Sequence, residues 1–344
     1  FAPLPRKVLK GEAVTLAMEA VCNRLMGARG IQEDNKPARL SMARLSARHL
    51  ETWHLFQDAE LLFLLMRELP EGSPRRKRLL FGLNDMLNRL DPDDVPASAA
   101  EARKPLAELL ACHADASATV AASIGHSHID VAWLWPYRET IRKCSRTFST
   151  VLRLMEQYPE YTFIQSQAQL YDYVKTHYPS IYKQVVRRVK EGRWEADGGT
   201  WVEMDCNLAS GEAIFRQILH AHRFFGKEFG TRCRYLWLPD VFGYSAALPQ
   251  MLTQCGLESF LTQKLSWNQF NRFPYYTFWW QGIDGSRIFS HFYATHTYNG
   301  RNTPAQLIKG QRNYAESDRS ERWLNPFGIG RSEEHTSELQ SLLI

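Results

Sequence analysis

The segment Gly125-His126-Ser127-His128-Ile129-Asp130, continuing through Val131-Ala132-Trp133-Leu134-Trp135-Pro136, has the spacing of a metal site. It follows Thr119–Ile124, an apolar run that reads as a buried strand. On extended backbone, residues i, i+2 and i+4 share a face. His126, His128 and Asp130 are therefore expected to point into one pocket at the strand's end. Imidazole and carboxylate are good ligands for zinc and its neighbours, and the tryptophans supply a flat apolar wall. The plain alternative is a solvated loop with two chance histidines; Asp130 and Trp133 at this spacing tell against it.

Two further carboxylates extend the chemistry. Asp205, in Gly199-Thr-Trp-Val-Glu-Met-Asp205, and Asp240, in Trp237-Leu-Pro-Asp240-Val-Phe-Gly, are expected on neighbouring loops. A retaining glycosidase needs two carboxyls about 5 Å apart, one nucleophile and one acid/base, and this placement suits such a pair. A metal held by His128, Asp130 and Asp205 would orient sugar hydroxyls and stabilise developing charge. Each acid also has a structural reading: Asp205 as a helix N-cap, Asp240 as a turn former.

The elements that must position these groups fall into two stretches. Residues 1–115 read as an N-terminal region, mostly helical. Its helical patterns are Ala38–Gln57, Leu61–Leu69, Arg76–Leu90 and Ala99–His113, with a truncated β element expected near Ala13–Val21. From 116 to 330 short strands alternate with helices. Strands are expected at Val120–Ile124, Tyr161–Gln165, Trp194–Ala196, Tyr235–Leu238, Ser259–Thr262, Thr277–Trp280 and Arg287–Tyr293. Helices are expected at Tyr137–Gln157, Leu170–Glu191, Glu212–Phe229 and Leu248–Cys255. This rhythm predicts an α/β fold of parallel βα units. A barrel is favoured over an open sheet because polar clusters follow successive strands, and barrels collect their sites on that face. The clusters are His126/His128/Asp130, Ser166/Gln167, Asp197 with Glu203/Asp205, Asp240 with Tyr244/Ser245, and Gln263-Lys264 with Asn268.

Composition narrows the classes. The 344 residues are 44% hydrophobic and 23% charged, with a formal charge of +5, which is ordinary globular composition. The basic cluster Arg75-Arg76-Lys77-Arg78 lacks interleaved aromatics, so nucleic acid is not an expected partner. No apolar run approaches the roughly 20 residues of a membrane span. Six scattered cysteines without a CxxC favour a reducing, cytoplasmic compartment. Ten tryptophans and fourteen tyrosines offer faces to the C–H surfaces of sugars. Residues 331–344 read as an adapter-derived, non-native tail and are set aside, His335 included.

The motifs GHSHIDVAWLWP, SQAQLYDYVK, GGTWVEMDCNLASGEAIFRQ, LWLPDVFGYSAALPQ and LTQKLSWNQFNRFP resemble, in order, the catalytic domain of glycoside hydrolase family 38. These are the class II α-mannosidases, and the resemblance is to their cytosolic-type branch. It implies a (β/α)7-type barrel preceded by a helical region, and a retaining α-mannosidase dependent on Zn2+ or Co2+. Its substrate would be an α-mannoside or oligomannose, and a homo-oligomer of the longer protein is compatible with it. Carried over by position, His128 and Asp130 resemble metal ligands. Asp205 resembles the nucleophile, itself a ligand, and Trp133 the ring that stacks on mannose. Asp240 is the candidate acid/base, His126 supports the ligand pair from behind, and Lys264 and Asn268 are candidate substrate contacts. Family members carry a fourth ligand, a histidine beyond a glycine-rich segment that begins near Gly328 here. Of the later histidines, His291 reads as a packed strand residue and His296 lies in a tyrosine-rich loop. The chain is thus expected to be a truncated fragment with an incomplete barrel and little activity alone. Two rivals are weighed: a metal-dependent amidohydrolase or deacetylase, which needs histidines at later strand ends, and a non-catalytic carbohydrate-binding remnant.

Overall fold

The structure is a computed structural model that describes residues 47–115, 117–133 and 135–328. The expectations for Ala13–Val21, the first part of Ala38–Gln57, and the tail from 331 lie outside those residues.

The described residues open with four helices: α1 (Leu50–Glu68), α2 (Pro74–Arg89), α3 (Val95–Arg103) and α4 (Leu106–Leu110). Their starts follow local chemistry. Ser73 accepts the Arg76 amide and Asp94 the Ala97 amide, each with a proline in the first turn. Leu55, Leu62, Leu79, Leu83, Met86 and Leu106 form the small core between them. The break expected near residue 60 is absent, and α1 runs through it. Asp58 accepts from Arg103 of α3 at 2.5 Å, so the residue that interrupts the apolar pattern makes a contact between helices.

Strands and helices then alternate. β1 (Val120–His126), α5 (Tyr137–Gln157), β2 (Phe163–Ile164), α6 (Ala168–His177), α7 (Pro179–Lys190), β3 (Trp194–Glu195) and α8 (Gly211–Phe229) come first. β4 (Tyr235–Trp237), α9 (Leu248–Gln254), β5 (Ser259–Thr262), β6 (Thr277–Gln281), β7 (Arg287–Phe292), α10 (Pro304–Asn313) and β8 (Arg322–Phe327) follow. One helix was expected where α6 and α7 stand. Pro179 divides them, because a proline disfavours helical backbone in the residue before it.

The strands form two sheets, in the orders β3-β2-β1-β8 and β4-β5-β7-β6. All pairs are parallel except β6 with β7. That pair is a hairpin turning through Gly282–Ser286, with Gly285 at φ 89°, and so departs from the expected βα rhythm. β8 was also not anticipated; it pairs with β1 from Val120↔Arg322 to Gly125↔Phe327. Hydrogen bonds join the sheets near Gly198 and near His291. The Trp237 amide donates to the Gly198 carbonyl at 3.0 Å, and the Leu324 amide donates to His291 Nε2 at 3.1 Å. The Gly198-Gly199 pair fits the first junction. A Cβ at Gly198 would lie 2.4 Å from Ser166, and one at Gly199, whose φ is 67°, would lie 2.5 Å from the Tyr235 carbonyl.

Asp197 fastens the same junction. Its carboxylate accepts from the Gly198 amide at 2.5 Å and the Arg234 amide at 3.0 Å. Burial pushes its pKa up to about 6 against those donors. An acid with a raised folded pKa binds its proton in the fold after the unfolded chain has lost it. The contribution of this group to stability is therefore greatest below about pH 4 and falls as pH rises towards 6, by about 3 kcal/mol. Asp197→Asn should flatten that slope between pH 4 and 6 in denaturant titrations. An unchanged slope would remove Asp197 as its source.

The core lies between sheet and helices, around Phe148, Phe163, Tyr171, Trp194, Phe225 and Phe260. Because β1, β2, β4 and β5 run parallel within their sheets, each turns at its C-terminal end into a segment bearing polar residues. Those segments build the site.

Candidate functional site

The loop after β1 is held by glutamines from the loop after β2. Gln165 Nε2 donates to the Ser127 carbonyl at 2.9 Å and Gln167 Nε2 to the Ile129 carbonyl at 2.8 Å. Gln167 Oε1 accepts the Glu203 amide at 3.0 Å. One buried side chain thus sets the histidine loop against the loop after β3. From the other side Trp135 Nε1 donates to Thr140 Oγ1, which donates to the Asp130 carbonyl, both at 3.0 Å.

His128 is the hub of this arrangement and is 3% exposed. Its Nδ1 lies 3.0 Å from Glu203 Oε1, and its Nε2 lies 3.2 Å from both Asp130 Oδ1 and Asp240 Oδ2. Asp240 Oδ2 also accepts from the Tyr298 hydroxyl at 2.7 Å, and Lys264 Nζ pairs with Asp240 Oδ1. Burial works to lower the His128 pKa, but the Glu203 charge and hydrogen bonds to Asp130, Asp240 and Glu203 carry it well above the imidazole range. Burial pushes Glu203 up, with His128 opposing. Asp240 is driven the other way: burial is outweighed by His128, Lys264 and Tyr298, which hold it well below the usual carboxylate range. His126, packed 5.1 Å from the Trp237 ring, is pushed down to about 3 by burial and by its neighbour His128. It is therefore a neutral ring across ordinary pH.

His128, Asp130 and Asp240 each offer a ligand atom, all within 4.8 Å of one another. The donor set suits a divalent ion of the zinc type. Asp130 Oδ2 and Glu203 Oε2 are buried without a hydrogen-bond partner, which is costly unless a cation or water completes the group. The residues present fit a metal.

The expected site residues are thus partly brought together. His128 and Asp130 converge as read. The carboxylate grouped with them is Asp240, in place of Asp205. Asp205 is half-buried and its Oδ1 accepts the Asn207 and Leu208 amides at 2.8 and 3.3 Å; it forms a turn, and the N-cap reading weighed for it belongs to Ser210 at the start of α8. Trp133 is 43% exposed, edge-on to Trp135 at 5.5 Å. Lys264 is buried against Asp240, with its ammonium 3.4 Å from the Trp267 ring centroid and 4.5 Å from that of Phe242. Asn268 caps its own turn, Oδ1 accepting the Phe270 and Asn271 amides at 2.9 and 3.2 Å. His291 is the packed strand residue expected: Thr277 Oγ1 lies 2.9 Å from its Nδ1, and burial lowers its pKa to about 4. His296 stacks on Tyr276. Glu203 stood in the sequence only as a rim carboxylate, and Tyr298 was not read at all. The Glu203–Asp205 spacing was the one signal for Glu203.

Residues 118–343 match the family model described as glycosyl hydrolases family 38 N-terminal domain. Alpha-mannosidase 2C1 of Homo sapiens is 41% identical over 92% of this chain and 31% of its own length. Alpha-mannosidase G of Dictyostelium discoideum is 38% identical over 93% of this chain and 30% of its own. The chain therefore spans less than a third of these relatives. In fold it is similar to an alpha-mannosidase from Enterococcus faecalis V583, with a TM-score of 0.52 at 21% identity. That likeness covers 64% of this chain and 26% of the other. No described helix is long and apolar enough to cross a membrane.

Proposed function

The chain belongs to glycosyl hydrolase family 38, and on that premise we propose that the protein of which it is part is a metal-dependent, retaining α-mannosidase. The convergence of His128, Asp130 and Asp240 at strand ends, in a chain matched to that family over 118–343, carries the reading. The relatives' names, alpha-mannosidases, support an α-mannoside as the substrate class.

The architecture we infer is a (β/α)7-type barrel over 116–330 behind the helical region 1–115. The parallel strands follow one another as β3-β2-β1-β8 and β4-β5-β7. The Trp237–Gly198 and Leu324–His291 hydrogen bonds lie where those two runs would join. Such a ring would gather the polar strand ends on one face.

His128, Asp130 and Asp240 would hold one divalent ion, Zn2+ or Co2+. When bound, that ion supplies Lewis-acid stabilisation of charge on a sugar oxygen. Gln167 and Thr140 keep the loop bearing His128 and Asp130 in place. Lys264 and Tyr298 fix the Asp240 carboxylate by hydrogen bonds. Asp205 is the proposed nucleophile. It would attack the anomeric carbon as the bond to the aglycone oxygen breaks, that oxygen leaving as an aryloxide or taking a proton from a general acid. Water would then displace the carboxylate from the mannosyl ester and give up its proton, with net retention. Trp133 is the proposed stacking face for the sugar ring. The acid/base reading of Asp240 competes with its place beside His128, since a proton donor needs a raised pKa.

The five described cysteines, Cys112, Cys144, Cys206, Cys233 and Cys255, are free thiols, which supports a cytoplasmic location. Proton NMR of the full-length protein acting on an aryl α-mannoside is expected to give α-mannose as first product. Activity should be lost on chelation and restored by Zn2+ or Co2+. First-formed β-mannose, or activity indifferent to chelation, would overturn the proposal.

A further inference from the structure

Lysine is almost never fully buried unless its charge has a partner, yet Lys143 is 2% exposed. It lies on α5, three residues after Thr140, and both belong to the buried side of that helix. Residues at this spacing are neighbours on one helix face. The Lys143 ammonium stands 4.6 Å from the centroid of the Trp135 ring. A cation is drawn to the face of an indole, the more strongly when both are removed from water. Trp135 is itself only 8% exposed.

Two other contacts of Trp135 lead to the candidate site. Its Nε1 donates to Thr140 Oγ1, which donates to the Asp130 carbonyl, both at 3.0 Å. Its ring meets Trp133 at 5.5 Å with the planes 85° apart. Residues 127–133 lie in neither helix nor strand, so side chains from neighbouring elements must fix the backbone that carries His128 and Asp130. The Trp135 ring is a junction for that purpose, with a buried cation on its face, Asp130 reached through its N–H, and the exposed Trp133 against it. An aliphatic side chain at 143 would fill the same space without the cost of desolvating an ammonium. The charge adds direction, because it favours the face of the ring over its edge.

We propose that Lys143 is a positioning residue of the site, which through the plane of the Trp135 ring sets both the Asp130 backbone and the Trp133 face. The proposal rests on the α-mannosidase reading above, in which Asp130 holds the metal and Trp133 covers the sugar. It adds to that reading the group that orients both.

The test uses the full-length protein. Zn2+ affinity is read by competition with a chelator, and KM and kcat on an aryl α-mannoside at saturating Zn2+. Lys143→Met keeps a long apolar stem and removes the charge. It is expected to weaken Zn2+ binding about tenfold, the scale on which metal affinity falls when a group supporting a ligand is lost. KM should rise about fivefold as Trp133 loses its orientation, with kcat little changed. Lys143→Arg keeps a cation over the ring and should restore both values. Trp135→Phe retains a ring face and lacks the Nε1 donor, so it should weaken Zn2+ binding and leave KM near wild type. If Lys143→Met melts earlier but binds Zn2+ and mannoside as the wild type does, or if Lys143→Arg rescues neither value, Lys143 loses this role and the α-mannosidase reading stands. Should Lys143→Met not fold, Trp135→Phe decides, and wild-type Zn2+ affinity there would overturn the proposal. A wild-type protein that takes up neither Zn2+ nor mannoside would overturn both.

Discussion

Asp205→Ala in the full-length protein is expected to reduce hydrolysis of an aryl α-mannoside by about 10⁴-fold or more, the scale on which enzymes lose rate when a nucleophile is removed. Covalent labelling by a fluorinated mannosyl probe should disappear with it. The side chain also has a local task, since its Oδ1 accepts the Asn207 and Leu208 amides just before α8. Alanine removes that turn as well as the carboxylate. Asp205→Asn separates the two effects, because an asparagine Oδ1 accepts the same amides and cannot form a sugar ester. Both variants should be equally silent to the probe, while the asparagine keeps wild-type thermal stability. Glu203, two residues earlier and set against His128, is the natural competitor. Trapped probe recovered on Glu203 would transfer the nucleophile's role to it.

The sequence reading set Asp205 beside His128 and Asp130, whereas the structure groups Asp240 with them. His128 and Asp130 were legible because both lie on one short segment, where alternation along extended backbone dictates that their side chains share a side. Asp240 and Asp205 come from different strand ends. Which of them turns towards His128 depends on Lys264 and Tyr298, which are 24 and 58 residues further along the chain. No local pattern encodes such a contact. The same limit hid β8. Arg322–Phe327 contains Pro326, which weakens a strand reading, and its pairing with β1 joins segments about 200 residues apart. The need for glycine at Gly198-Gly199 is likewise tertiary, the close approach of Ser166 and Tyr235. The split between α6 and α7, by contrast, was written locally in Pro179.

Asp240→Asn distinguishes the two roles open to that residue. If Asp240 is a proton donor, its loss slows poor leaving groups far more than activated ones, because an activated aryloxide departs without a proton. If it is a metal ligand, both substrates suffer together and the protein loses its ion. The geometry favours the second outcome. Its carboxylate is fixed by Lys264, Tyr298 and His128, and all three hold it in the ionised form, whereas a general acid must arrive protonated. We expect Asp240→Asn to lower turnover of activated and unactivated mannosides alike, by about 10²-fold or more, with a matching fall in bound Zn2+ and partial recovery in excess metal. The asparagine leaves Lys264 buried opposite a neutral group, so a loss of a few kcal/mol in stability should accompany the change. Selective damage to poor leaving groups with full metal occupancy would return Asp240 to the acid/base role and require another group to complete the ligand set with His128 and Asp130.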